Sequence, residues 1–175
     1  MGKLLSALKA DGLASNTYIF FIGDNGTAGD GKATPTELGA RVPGIVWGAD
    51  VKRGVVSRAV ADHKDILPTL AEISGATLPK DRVFDGKSFA PLLRGTQPRH
   101  RDWIYSHLDD GRALHNERWL LEIPFGNRGG KLFDCGTSRD GTGYRDVTGS
   151  NELEAKAART SPPCSRRCRS QRHGG

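Results

Sequence analysis

Apolar positions along the chain fall into short blocks separated by glycine-rich polar stretches, and the spacing inside each block predicts its element. Leu4, Leu5 and Leu8 share one side of a helix with lysines on another, which predicts an amphipathic helix from Gly2 to Ala10 that stops near Gly12. The run Tyr18-Ile19-Phe20-Phe21-Ile22 is aromatic and β-branched without alternation, the pattern of a strand covered on both faces. Residues 23–39 are polar and hold Gly26, Gly29, Gly31 and Gly39, which predicts a long loop of the functional kind. Val42-Pro43-Gly44-Ile45-Val46-Trp47 predicts a second short strand with proline at its start, and residues 55–60 a third. Asp62 is placed to cap a helix that runs to about Ser74 and ends at Gly75. Within it Ile66, Leu67, Leu70 and Ile73 recur at helical spacing and are expected to face the core, while Pro68 predicts a kink or a break into two turns. Asp85-Gly86 predicts a turn, and residues 88–93 a short helix capped by Ser88.

From Arg101 the pattern changes. Residues 103–106, 112–115, 118–122 and 131–134 read as short strands split by Asp110-Gly111, Asn116-Glu117 and Asn127-Arg128-Gly129-Gly130, which predicts an antiparallel sheet. Residues 151–160 are weakly helical. After Ser161-Pro162-Pro163 the chain is rich in arginine and serine with no apolar period, and is expected to be disordered. The expected organisation is α/β: part of a central, mostly parallel sheet flanked by helices over residues 1–100, an antiparallel subdomain over 101–160, and a basic tail over 161–175.

Composition narrows the picture without naming a function. A length of 175 residues allows one ordinary domain with a real core. Of the net charge of +6, five charges come from Arg159, Arg166, Arg167, Arg169 and Arg172, so the body is nearly neutral. The basic tail has no aromatic residue, and nucleic acid is not an expected partner. No segment approaches the roughly 18 apolar residues of a membrane-spanning helix. The amino-terminal block reads as an amphipathic helix and not as a signal peptide, and that reading is preferred to the N-myristoylation pattern of Met1-Gly2 with Ser6. Cys135, Cys164 and Cys168 give no disulfide framework, and Cys164 and Cys168 with His173 lack the second ligand pair of a zinc site.

Asp24-Asn25-Gly26 carries the most chemistry. It follows the apolar run directly, and open α/β sheets bind ligands at the carboxyl ends of their strands. A carboxylate and an amide carbonyl are the oxygen donors that hard divalent cations prefer, but two residues cannot supply six to eight ligands. Lys32, after Gly31, adds a point charge suited to an anionic ester. The competing reading is an ordinary Asx turn.

The surrounding residues resemble the sulfatase family of the alkaline-phosphatase-like superfamily. The resemblance rests on several motifs in order: Phe20-Phe21-Ile22-Gly23-Asp24-Asn25-Gly26; Gly31-Lys32; Glu37 through Trp47 with Arg41-Val42-Pro43-Gly44; Asp65-Ile66-Leu67-Pro68-Thr69-Leu70; and Asp85-Gly86-Lys87-Ser88-Phe89. Arg118-Trp119-Leu120-Leu121 and Leu132-Phe133-Asp134 are similar to the family's closing hairpins, so the likeness covers about residues 2–160. It implies hydrolysis of a sulfate ester. Asp24 and Asn25 would be ligands of the active-site cation, calcium rather than magnesium, and Lys32 would contact the sulfate as both a catalytic and a substrate-binding residue. It implies a structural role for Arg41. It also implies a formylglycine nucleophile made from Cys/Ser-x-Pro/Ala-x-Arg, and no such run exists in these residues: Cys135 is followed by Gly136-Thr137-Ser138-Arg139. The family's opening pair of aspartates is missing too, since Asp109-Asp110 reads as a hairpin turn, and His63, His100, His107 and His115 read as solvated or packed.

The expectation is therefore the carboxy-terminal portion of a sulfatase, inactive alone, whose partners are an aryl or carbohydrate sulfate ester and the missing amino-terminal segment of the same domain, with no membrane partner. The family resemblance favours an exported or periplasmic location. The alternatives are a non-catalytic remnant or binding module of the same fold, and a hydrolase of phosphate or phosphonate esters. A fragment of a sheet meant to be covered on both faces should expose apolar surface and be marginally stable.

Overall fold

The first helix, α1 (Gly2–Ala10), forms where the leucine spacing predicts, but none of its residues is buried. A computed structural model describes residues 1–27, 31–127, 129–138 and 141–150; the expected weak helix over 151–160 and the tail over 161–175 lie outside them. The next apolar block forms β1 (Ile19–Ile22), which pairs antiparallel with β2 (Gly44–Trp47). The mostly parallel sheet expected from the apolar run is not what these two strands make. Phe21 stands directly opposite Ile45, and they are 50% and 59% exposed, so one face of the pair is open to solvent and not covered as expected. The other face is anchored by Phe20, whose ring meets Phe89 edge-on at 6.3 Å.

Residues 55–60 do not form the third strand. Only Val60 makes a bridge, to Arg101, and Val55 and Val56 are exposed. A β-branched run without a neighbour to pair with gains nothing from extension.

One turn of 3-10 helix (His63–Asp65) leads into α3 (Ile66–Ser74). A reciprocal cap starts the turn: the Asp62 carboxylate accepts from the Lys64 amide at 3.1 Å and Asp65 from the Asp62 amide at 2.9 Å. Gly75, at φ 72°, closes α3 in the left-handed conformation that glycine adopts without strain. Pro68 does not break the helix. It is the third residue of α3, where a missing N–H removes no intrahelical bond. The expected core face holds only in part: Ile66 and Ile73 are half-buried, but Leu67 and Leu70 are exposed, and the buried residues are Pro68, Thr69 and Ala71. A polar contact selects that side. The Thr69 hydroxyl donates to the Asp65 carbonyl at 2.6 Å and accepts from the Phe89 amide at 3.0 Å, drawing α4 (Ala90–Leu93) and its lead-in onto the helix. Ser88 is not the cap expected of it: α4 starts two residues later, with Phe89 at the cap position, and the Ser88 hydroxyl accepts only from the Ala90 amide at 3.2 Å.

Beyond residue 103 the four expected short strands form, and a further one at Arg145–Asp146, which was not expected, joins them. β3 (Ile104–Leu108), β4 (Gly111–His115), β5 (Trp119–Ile123), β6 (Lys131–Asp134) and β7 (Arg145–Asp146) form one antiparallel sheet in sequence order. Neighbouring residues of β5 serve its two faces. Trp119 packs with Leu132 and Val147, and Leu120 packs with Ala113 and Cys135. Asp65 ties the segment that leads into this sheet to the start of α3. It is fully buried, accepts from Arg101 Nε at 2.8 Å, from His100 Nε2 at 2.9 Å and from the Lys87 amide at 2.8 Å, and is further paired with Arg101 Nη2.

Candidate functional site

The loop after β1 is folded onto itself by its glycines. Gly23 donates to the Pro43 carbonyl at 3.0 Å, and its own carbonyl meets His63 Nε2 at 3.0 Å, so both backbone polar groups of the residue before Asp24 are held. The Gly26 amide donates to the Gly39 carbonyl at 3.0 Å. Two backbones approach so closely here that a Cβ on Gly26 or on Gly31 would lie 1.9 Å or 2.0 Å from the Leu38 carbonyl oxygen. The Gly31 and Lys32 amides both donate to the Thr27 carbonyl, at 2.9 and 3.0 Å. Asp24-Asn25 and Gly31-Lys32 therefore belong to one closed loop. The amides of Gly31 and Lys32 are thus tied to a residue two positions beyond Asn25.

The three singled-out side chains are exposed. Asn25 donates through Nδ2 to the Gly26 carbonyl at 2.9 Å, which leaves its oxygen as the open acceptor. Among the described residues the Asp24 carboxylate and the Lys32 ammonium take no hydrogen bond or ion pair. These donors fit a hard cation by chemistry, both being oxygens, but not by number. No group of three or more His, Cys, Asp or Glu side chains converges on a metal-sized site among the described residues.

Two further features frame the loop, and of their residues only Arg41 was singled out from the sequence. His63 is one. Its signal was only a histidine just after a cap residue, and the contact to Gly23 spans 40 positions. The other is a polar brace at α2 (Glu37–Ala40), where Glu37 takes bonds from Arg41 Nη1 at 2.7 Å and from the Tyr144 hydroxyl at 2.8 Å. The four-residue spacing of Glu37 and Arg41 was a legible hint of a helical ion pair; Tyr144 was not.

Cys135 is closed to nucleophilic chemistry. It is buried beneath the sheet, burial pushes its thiol up to about 12, and its sulfur lies 3.7 Å from His115 Nε2. The same burial lowers the pKa of His115. Asp109 takes φ 51° in the β3–β4 turn, and the Asp110 carboxylate accepts from the Gly126 amide at 3.0 Å. That pair is thus engaged in the hairpin. His107 stacks on Tyr105 with ring centroids 5.8 Å apart.

Comparison with known proteins gives a consistent set of likenesses. The family model described as Sulfatase matches residues 1–76. The steryl-sulfatase of Mus musculus is 36% identical over 138 residues, covering 68% of this chain and 22% of its own length. Arylsulfatase D of Homo sapiens is 30% identical over 138 residues, covering 68% of this chain and 23% of its own. The chain thus spans about a quarter of the length of the curated relatives it matches. Among solved structures, a phosphonate monoester hydrolase from Silicibacter pomeroyi superposes with a TM-score of 0.68 at 23% identity, over 90% of this chain and 36% of that one. A protein in complex with its substrate D-glucosamine-2-N,6-O-disulfate superposes with a TM-score of 0.70 at 18% identity, over 91% of this chain and 35% of that one.

Proposed function

Because the chain belongs to the sulfatase family and has its α/β, alkaline-phosphatase-like fold, we propose that it carries part of the cation and sulfate site of a sulfuric ester hydrolase. Asp24 and Asn25 hold a divalent cation, calcium before magnesium, and Lys32 grips the sulfate. The observation that carries this reading is the set of backbone bonds that ties residues 23–27 to residues 31–39 and so holds the two oxygen donors and the lysine on one scaffold. When bound, the cation supplies Lewis-acid polarisation of the ester oxygens. The chain's own residues do the rest of what is present. The amide of Asn25, turned by its bond to Gly26, offers oxygen and not nitrogen outward. The free ammonium of Lys32 binds one sulfuryl oxygen and offsets the charge that grows there as the ester bond breaks. The 175 residues hold no Cys/Ser-x-Pro/Ala-x-Arg run from which the family's nucleophile is made, and among the described residues the one cysteine, Cys135, is buried with its thiol pushed up to about 12. Turnover therefore needs residues beyond these 175, and the chain alone binds without hydrolysing.

The test is a titration of the 175-residue chain with calcium and with inorganic sulfate, followed by amide NMR. Calcium should shift the Asp24 and Asn25 amides, and Asp24→Ala should abolish those shifts. Sulfate should shift the Lys32 amide, with at least a tenfold loss of affinity in Lys32→Ala. Equal sulfate binding by Lys32→Ala, or arylsulfatase activity of the chain above background, would overturn the reading. A second reading keeps the geometry and changes the ester, because a phosphonate monoester hydrolase shares this fold. Tighter binding of methylphosphonate than of sulfate would favour it.

A further inference from the structure

The loop that carries Lys32 is braced from outside itself. α2 has four residues, none of them buried, and Leu38 within it is 63% exposed, so apolar packing does not hold it in place. The turn after Lys32 rests directly on this helix. The Thr34 amide and hydroxyl donate to the Gly31 carbonyl at 3.0 and 2.8 Å, and a Cβ on Gly39 would lie 2.3 Å from the Thr34 carbonyl oxygen and 2.7 Å from that of Gly31. Wherever α2 goes, the turn must follow.

What fixes α2 comes from the carboxy-terminal sheet. Glu122, on β5, accepts the Glu37 amide at 2.7 Å, which caps the start of the helix. The Tyr144 hydroxyl donates to Glu37 Oε1 at 2.8 Å and accepts from Arg41 Nη1 at 3.0 Å, gripping both ends of α2 at once. The other oxygen of Glu37 is buried with no partner among the described residues. A buried carboxylate oxygen left unpaired costs stability. The arrangement is thus better suited to placing α2 than to stabilising the fold.

We propose that Glu122 and Tyr144 are positioning residues for Lys32, acting through α2. The inference rests on the reading of Lys32 as the oxyanion contact. Burial and the bond to Glu37 keep the Tyr144 hydroxyl protonated far above the ordinary phenol range, so it donates at any working pH. Burial likewise raises the pKa of Glu122.

The experiment is amide hydrogen exchange on the 175-residue chain carrying Tyr144→Phe, Glu122→Ala or Glu122→Gln, with inorganic sulfate titrated into each. Exchange at Lys32, Thr34 and Gly39 should rise about tenfold in Tyr144→Phe and Glu122→Ala, while Leu114 and Leu121 in the sheet keep their protection. Glu122→Gln retains an acceptor oxygen and should restore most of the protection. Sulfate affinity should fall severalfold in the loosened variants. Unchanged exchange in the loop overturns the proposal, and so does an equal rise throughout β4 and β5, which would make the two residues supports of the sheet alone. Lys32→Ala separates the premises. If it binds sulfate as the parent does, the oxyanion reading falls, while the exchange data still decide the clamp.

Discussion

Asp65 shows how one side chain can organise a fold. Burial by itself raises the pKa of a carboxyl, but the bonds from Arg101, from the Lys87 and Asp62 amides and from His100 more than offset it and hold Asp65 well below the ordinary carboxylate range. The sign of the pH dependence follows. A depressed carboxyl contributes stability that is fully present above its unfolded value of 3.8 and is lost as pH falls through the lower folded value. Asp65→Asn should cost about 3–5 kcal/mol at neutral pH, because it leaves the Arg101 charge without its partner. It should also flatten the acid limb of the stability curve below the unfolded value. Thermal melts from pH 7 downward check both, and a variant that melts like the parent at pH 7 would remove Asp65 from this role. The sequence marked Asp65 only as part of a motif. Its partners at positions 87, 100 and 101 are far along the chain, and nothing local announces them.

At the scale of elements, the glycines of the loop make the sharpest prediction. Gly26→Ala and Gly31→Ala each drive a methyl group into the Leu38 carbonyl, at 1.9 and 2.0 Å, so the loop must open. Gly44→Ala, in β2, meets nothing within 4 Å and needs no positive φ. The first two should abolish the calcium- and sulfate-induced shifts and lower stability by about 1–3 kcal/mol, while the third should change stability by less than about 0.5 kcal/mol. A loop alanine that leaves the ion-induced shifts intact would argue against this closed loop. The four strands between 104 and 134 were legible because a hairpin sheet is built from neighbours, and its turns carry their own residues. α3 was legible in extent and not in orientation. Its leucine spacing states that one side is apolar, but Thr69 and Asp65 choose the side that is buried.

At the scale of the molecule, apolar surface remains open. Phe21 and Ile45 face solvent from the strand pair, Val83 is 91% exposed, and Leu67 and Leu70 line a groove of about 500 Å³ with Tyr18, Ile73 and Leu78. No helix among the described residues is long and apolar enough to cross a membrane. Exposed apolar area on this scale promotes association. The chain should bind an apolar dye and scatter light on heating. Leu67→Lys combined with Leu70→Lys should reduce both while changing stability by less than about 1 kcal/mol, because both side chains stand about half exposed at the groove and a lysine stem can cover the same surface. A large loss of stability would mean that the two leucines are covered in solution.

Periodicity and turn residues determined where α1, the stop at Gly75 and the closing hairpins lie, since both depend on local sterics and on residues a few positions apart, whereas α2 forms inside the stretch expected to be loop. Local chemistry likewise marked Asp24, Asn25 and Lys32 as candidates. Which faces are buried, that β1 pairs antiparallel with β2, and which side chains brace the candidate loop were decided only in three dimensions. Those outcomes depend on contacts such as Asp65 with Arg101 and Glu37 with Tyr144, whose separations of 36 and 107 positions put them beyond any local pattern.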